Sequence, residues 1–292
     1  MSYQNTRDIL RQQGLAPKKK LGQNFLVHRH TAERIVAAAG VRPGDTVIEV
    51  GVGLGALTVP LAGAAARVIG LEADSGIVRM HEEKRDLPAN VTLIHADVLQ
   101  VDMAALTEQA GGRLRIIANL PYSISTEFIF RLIEHFELIE TAVVMLQKEV
   151  ARRLLAKPGT KEYGVPGVLL AACAEVTPLL DIGPAEFHPR PRVDSMVVRL
   201  TFHPVPQRVS RLGEFDRRLL RRIVGGAFGQ RRKTLLNALA STGLVRDKER
   251  LAACIGKAAI NPSVRAERLE IEDFVRLSRS IRAAMETDTC DS

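Results

Sequence analysis

From residue 46 onward, short and nearly continuous apolar runs alternate with longer segments whose apolar positions recur every three or four residues. The runs are TVIEV (46–50), RVIGL (67–71), VTLIH (91–95), RIIAN (115–119) and AVVML (142–146). Runs of this length predict strands covered on both faces. The segments between them, such as ALTVPLAGAA and SISTEFIFRLIEHF, carry helical spacing. Strand–helix alternation predicts an α/β fold built on a doubly wound parallel sheet. Two further β-rich runs, AACAEVTPLL (171–180) and SMVVRLTF (195–202), extend it, and HPVPQ (203–207) breaks the pattern. Beyond that break the chain reads as helical and arginine-rich. The expected organisation is a first domain over residues 1–205 and a smaller helical domain over 206–292.

The first strand runs into EVGVGLGALT (49–58), with Gly51, Gly53 and Gly55 at alternate positions where a helix should begin. Glycine allows a sharp turn and close approach of a ligand to the backbone. A glycine loop between a strand and a helix is the setting of a nucleotide site. The spacing GxGxG, without GxGxxG, points away from dinucleotides. Glu72 ends the second strand, where a carboxylate can accept from both hydroxyls of a ribose. Asp97 ends the third, where a carboxylate can receive an exocyclic amine; each acid also has a plainer reading as a helix cap.

The fourth strand stops abruptly at Asn119, followed by Leu120, Pro121 and Tyr122. The plain reading of this stretch is a turn. The alternative is a polar clamp and a stacking ring facing the same ligand, because ligands in such sheets bind beyond the carboxyl ends of the strands. Such a site wants an electrophile on the cofactor and a planar nucleophile, and S-adenosylmethionine with a base amine fits.

Charge adds a second partner. The net formal charge of +8 is uneven: residues 1–205 hold 23 Lys+Arg against 22 Asp+Glu, and residues 206–292 hold 18 against 11. RRLLRRIVGGAFGQRRK (217–233) has seven basic residues and no acid. Arg221, Arg222, Arg231, Arg232 and Lys233 are candidate phosphate contacts, a solvated helix face being the alternative. Lys18, Lys19 and Lys20 would extend that patch. Cys173, Cys254 and Cys290 match no metal spacing and suit a reducing, cytoplasmic setting. No apolar stretch reaches the ~18 residues of a membrane span. Neither a metal nor a membrane partner is expected.

Taken together, NLPY (119–122), EVGVGLGALT, KKKLGQNFL (18–26), FHPRPRVDSMVVRL (187–200), AFGQRRKTLLNAL (227–239) and INPSVRAERLEIEDF (260–274) resemble the KsgA (RsmA) rRNA adenine dimethyltransferases. The likeness runs from about residue 7 to 283, with the motifs in family order. It implies a Rossmann-like methyltransferase sheet with a smaller C-terminal helical domain that binds RNA. It also implies S-adenosylmethionine as cofactor, and as substrate two adjacent adenosines in the 3′-terminal hairpin loop of 16S rRNA in the immature small ribosomal subunit. A monomer is expected.

By motif position the resemblance places cofactor contacts at Asn24, Leu26, Gly51, Glu72, Asp97 and Asn119. It places the catalytic set at Asn119, Leu120, Pro121, Tyr122 and Phe187. Phe187 would sandwich a base with Tyr122, its other reading being a core ring; Tyr163 is a weaker stacking candidate. Val52 stands where many members have proline, and His28 where an acid often follows QNFL. Two other readings remain open here: a nucleic-acid-binding assembly or transcription factor on the same fold, and the erythromycin-resistance methyltransferases of large-subunit rRNA. The latter tend to carry isoleucine at the position of Leu120.

Overall fold

The computed structural model describes residues 23–204 and 207–290, with Thr6 and Asp8 besides. Lys18, Lys19 and Lys20 lie outside the described residues. The chain divides into two compact units, residues 1–151 with 175–203, and residues 152–174 with 204–292.

The first unit is a sheet with helices on both faces. In chain order it contains β1 (Phe25–Leu26), α1 (Arg29–Ala39), β2 (Thr46–Val50), α2 (Thr58–Ala64), β3 (Arg67–Glu72), α3 (Ser75–Lys84), β4 (Val91–His95) and α4 (Met103–Ala110). Next come β5 (Leu114–Asn119), α5 (Ser125–Glu134), β6 (Ile139–Gln147) and the start of α6 (Lys148–Leu155). The second unit interposes α7 (Val165–Ala171); the chain then re-enters the sheet through β7 (Ala174–Ile182), β8 (Phe187–His188) and β9 (Ser195–Phe202).

The seven-stranded sheet has the order β4-β3-β2-β5-β6-β9-β7. β2 to β6 are parallel, as the apolar runs require, and β9 pairs antiparallel with β6. The doubly wound parallel sheet therefore gains an antiparallel end. In the AACAEVTPLL run, Ala171 closes α7 and the strand begins only at Ala174.

Apolar residues on successive strands meet the helices. Val47, Val68, Ile117, Val143, Met145 and Val197 pack with Ala32, Ile35 and Val36 of α1 and with Leu57 and Leu61 beside and in α2. Strand order reverses at β2, whose neighbours are β3 on one side and β5 on the other. The crevice of an open α/β sheet opens at such a switch point, past the carboxyl ends of the strands.

The second unit holds α7, α8 (Gln207–Ser210), α9 (Arg217–Gly229), α10 (Leu235–Ala240), α11 (Lys248–Lys257) and α12 (Ile271–Cys290). α9 buries Leu219, Leu220, Ile223, Val224 and Ala227 along one stripe and leaves Arg217, Arg218, Arg221 and Arg222 exposed. Asp216 caps it by accepting from Arg218 N at 2.8 Å and Leu219 N at 3.1 Å. Residues 152–174, expected in the first domain, belong here: the Tyr163 ring meets Phe228 edge-on at 5.9 Å, and its hydroxyl donates to the Leu269 carbonyl at 3.0 Å. That burial also corrects the stacking reading of Tyr163, which is 4% exposed.

Candidate active site

The loop after β2 turns back on itself because Gly51, Gly53 and Gly55 all take positive φ, +82°, +56° and +79°. At Gly51 a Cβ would also lie 3.1 Å from the Asn119 carbonyl oxygen. Strain and crowding thus both hold this position to glycine. The turn leaves a cavity at the switch point. Its wall includes Gln23, Asn24, Phe25 and Leu26, the glycine loop, Glu72, Asp97 and Leu99, and Asn119, Pro121 and Ile124.

Glu72 ends β3 and is 6% exposed. Its Oε2 accepts from Gly53 N at 2.9 Å and its Oε1 from Asp74 N at 2.8 Å. Each carboxylate oxygen has a second lone pair, so two hydroxyls can still be accepted by an acid whose orientation is fixed. Burial pushes its acidity down, raising its pKa, against the backbone donors of Gly53, Asp74 and Ala73 that favour the anion. Asp74 caps α3 through Gly76 N and receives Gln23 Nε2 at 3.0 Å, which ties the QNFL segment to the end of β3.

Asp97 stands two residues past the end of β4. It closes a turn by accepting from Leu99 N at 2.9 Å and Gln100 Nε2 at 3.2 Å, and it also lines the cavity as an exposed carboxylate.

Asn119 ends β5, in register with Met145 of β6. Its Nδ2 donates to the Asn24 carbonyl at 3.4 Å, which sets the amide so that Oδ1 is the remaining acceptor. The Pro121 carbonyl is committed to Ile124 N and Ser125 Oγ, both at 3.2 Å. Asn119 is the residue of NLPY that brings a side-chain acceptor to the cavity wall. Tyr122 is half-buried and its hydroxyl is held by Ser195 Oγ at 2.7 Å, where β9 begins. Burial raises its pKa, with the Ser195 bond opposing.

Phe187 is placed differently from the stacking expectation. It is 1% exposed and packs in the core with Leu26, Ile35 and Ile182. The reason is a strand pairing: β1 and β8 run antiparallel, with Phe25 opposite His188 and Leu26 opposite Phe187. QNFL and FHPRP thus form one clasp, which turns the Phe187 ring inward. Neither Leu120, Tyr122 nor Phe187 is on the cavity wall.

The two departures from the family pattern are local. Val52 is 3% exposed and packs over Gly70, where a Cβ would come within 2.6 Å of its Cγ2. His28 occupies the N-cap of α1 and makes no side-chain cap.

Two polar residues escaped the sequence reading. Glu49 is fully buried on the cavity wall, and neither of its oxygens has a hydrogen-bond partner. The signal was an acid inside an otherwise apolar strand, one residue before the last of the run. His81 bonds the Gly53 carbonyl through Nε2 at 2.8 Å and Asp86 through Nδ1 at 2.6 Å. Nothing in its helical context announces that role.

The model of one family, described as "Ribosomal RNA adenine dimethylase", matches residues 14–283. The chain belongs to the ribosomal RNA adenine dimethylase family. It is 53% identical to ribosomal RNA small subunit methyltransferase A of Desulfotalea psychrophila, across 95% of each chain. It is 42% identical to the protein of the same name from Geobacter metallireducens, over 94% of this chain and 98% of that one. Among solved structures, a dimethyladenosine transferase from Plasmodium falciparum superposes with a TM-score of 0.71 at 25% identity, covering 89% of this chain and 98% of its own. The 23S rRNA methyltransferase ErmE gives 0.62 at 25% identity, covering 89% of this chain and all of its own. Rossmann-like architecture and dimethylase membership agree with the glycine loop and with NLPY. No helix among the described residues is long and apolar enough to cross a membrane, and no cluster of metal-ligating side chains occurs among them.

Proposed function

We propose that this dimethylase binds S-adenosylmethionine in the cavity at the switch point and presents N6 of an adenosine to it from the Asn119–Leu120 ledge. The substrate we assign is the pair of adjacent adenosines in the 3′-terminal hairpin loop of 16S rRNA, each dimethylated in the cytoplasm during small-subunit assembly. Relatives named as small-subunit methyltransferases, matching over nearly the whole chain, support that assignment. All the cavity residues come from one compact unit, and we expect the protein to act as a monomer.

The residues present fit the cofactor. The Gly51 turn has a contour that a Cβ would spoil. Glu72 is a fixed double acceptor for ribose hydroxyls. Asp97 and Leu99 give one polar and one apolar contact for a base, and Asn24 and Leu26 close the opposite wall. S-adenosylmethionine supplies, when bound, a methyl group on a positively charged sulfur.

The protein's own part is to make N6 a nucleophile. An adenine amine is poor because its lone pair is delocalised into the ring. Two acceptors on its N–H groups favour a pyramidal nitrogen and free that pair, and Asn119 Oδ1 and the Leu120 carbonyl have the chemistry to be those acceptors. Pro121 fixes the backbone that carries the second. Tyr122 stacks on the base, held by its Ser195 bond. The methylated amine sheds its proton to water, so no general base is required. Phosphates of the RNA are held by the exposed basic residues of the second unit.

The observation that carries this reading is the Asn119 amide on the cavity wall, its Nδ2 turned to the Asn24 carbonyl so that its oxygen is the acceptor. Asn119→Ala should lower single-turnover methyl transfer to immature small subunits by about 10²-fold or more, the usual scale for one oriented group at a reacting centre. RNA affinity should stay within about twofold. Near-normal transfer by the variant would return NLPY to a simple turn.

A further inference from the structure

α1 begins without a cap of its own. His28 holds the N-cap position, its side chain makes no cap bond, and the first turn contains no acid. The first backbone N–H groups of a helix have no partner within it and favour a nearby anion. Glu186 supplies one from 155 residues away: the Thr31 hydroxyl, in the first turn of α1, donates to its Oε2 at 2.6 Å. Thr31 is buried, and the short distance is that of a charge-assisted bond.

The backbone of Glu186 is fastened to the same segment. Its carbonyl accepts from Val27 N, directly after β1, at 2.9 Å. The residues that follow it, Phe187 and His188, are β8 and pair with Leu26 and Phe25. Asn24, Phe25 and Leu26 are cavity wall, and the Asn24 carbonyl is the acceptor that orients the Asn119 amide. One short ribbon therefore carries part of the cofactor wall and the reference point for the Asn119 acceptor. A two-stranded pairing is a weak element by itself, so what braces its end matters. The Thr31–Glu186 bond joins it to α1, whose Ala32, Ile35 and Val36 are set in the core of the sheet. Neither Thr31 nor Glu186 lines the cavity, so any effect of either on a ligand travels through residues 24–27.

We propose that Glu186 is a positioning residue for the methyl-transfer site: by accepting from Thr31 it braces the β1–β8 ribbon against α1 and holds residues 24–26 in place for the cofactor. The inference rests on the cofactor reading above.

The test is calorimetric titration of the full chain with S-adenosylmethionine, beside a thermal melt of each variant. Thr31→Val keeps the shape of the side chain and removes the donor. It should weaken cofactor binding by about three- to tenfold, part of what a hydrogen bond to a charged group contributes. Glu186→Ala should do the same, and the two together should cost no more than either alone, since they break one bond. Glu186→Gln still accepts from Thr31 and should stay within about twofold of wild type. His28→Asp in the Glu186→Ala chain separates bracing from capping: it gives α1 a local cap and leaves the ribbon unbraced. The melting temperature should recover while affinity stays low. Recovery of both would make Glu186 a helix cap alone and overturn the inference. A folded Thr31→Val chain that binds as tightly as wild type overturns it too, as do additive losses from the two positions. If Glu186→Ala does not fold, Thr31→Val and Glu186→Gln decide the question. Absence of saturable binding in the wild type would instead remove the cofactor reading itself.

Discussion

A buried carboxyl with no counter-charge costs the fold more once it ionises, and Glu49 puts a sign on that cost: burial raises its pKa, the Thr58 hydroxyl opposes, and the nearby Glu72 adds to the rise. Its acidity is about 8 in the folded chain against an ordinary 4.5. Between those values the native state holds a proton that the unfolded chain has lost. Stability is therefore fully present below about 4.5, declines as pH rises toward 8, and levels off above. Glutamine at 49 keeps the shape and cannot ionise. The melting temperature of Glu49→Gln relative to wild type should rise between pH 5 and pH 8; a constant difference would mean that Glu49 finds a counter-charge in the folded chain. The residue stands in plain view in EVGVGLGALT, yet its burial depends on α1 and α2 covering that face of the sheet, which spacing alone does not say. Glu72, Asp97 and Asn119 were legible as cavity-lining residues because each stands at or just past the end of a strand, and strand ends of a parallel sheet share one edge. Phe187 was not, because its inward orientation follows from pairing with a strand more than 150 residues away.

Among the elements, the glycine loop is clamped from two sides. Gly53 donates its N–H to Glu72 and offers its carbonyl to His81 of α3. His81 is in turn oriented by Asp86, just beyond the end of that helix. Phe25 of the clasp packs on the same loop, where a Cβ at Gly53 would lie 3.3 Å from its ring. A chain Asp86–His81–Gly53–Glu72 thus sets Glu72, the ribose acceptor we propose, through the backbone of the loop. His81→Phe removes the donor and leaves a part-buried carbonyl without it, at a cost of about 1 kcal/mol. If the loop absorbs that cost, S-adenosylmethionine affinity should fall about fivefold while the turnover of saturated enzyme changes little. His81→Gln, which can still donate to Gly53, should recover most of the affinity. A loss of thermal stability with unchanged affinity in His81→Phe would show that the histidine props the helix and not the site. A helix between two strand runs was expected from the strand–helix alternation. The direction in which its one buried histidine points was not.

For the whole molecule, the uneven charge is the feature that sequence displayed best and side-chain geometry refines most. The excess lies after residue 205, and the described residues there expose Arg222 on α9 and Arg232 and Lys233 in the turn that follows it. Arg231, expected among the phosphate contacts, is engaged inside the second unit: its guanidinium donates to the Lys161 carbonyl at 2.7 Å and stands 3.6 Å from Glu267. Those partners lie far off in sequence, which is also why residues 152–174 read as part of the first domain when their packing puts them in the second. We expect Arg222, Arg232 and Lys233 to touch RNA phosphates, which position a substrate without reading its bases. Glutamine at all three keeps polarity and removes three charges. Binding at low salt should weaken by a similar factor for cognate and unrelated RNA. The slope of log affinity against log salt should flatten by about two to three units, since each phosphate contact releases its counterions. Calorimetric S-adenosylmethionine affinity should be unchanged, because every residue lining that cavity belongs to the other unit. An unaltered slope would make these side chains a solvated face and move the search for the phosphate surface to Arg218 of α9 and to the lysines at 18–20.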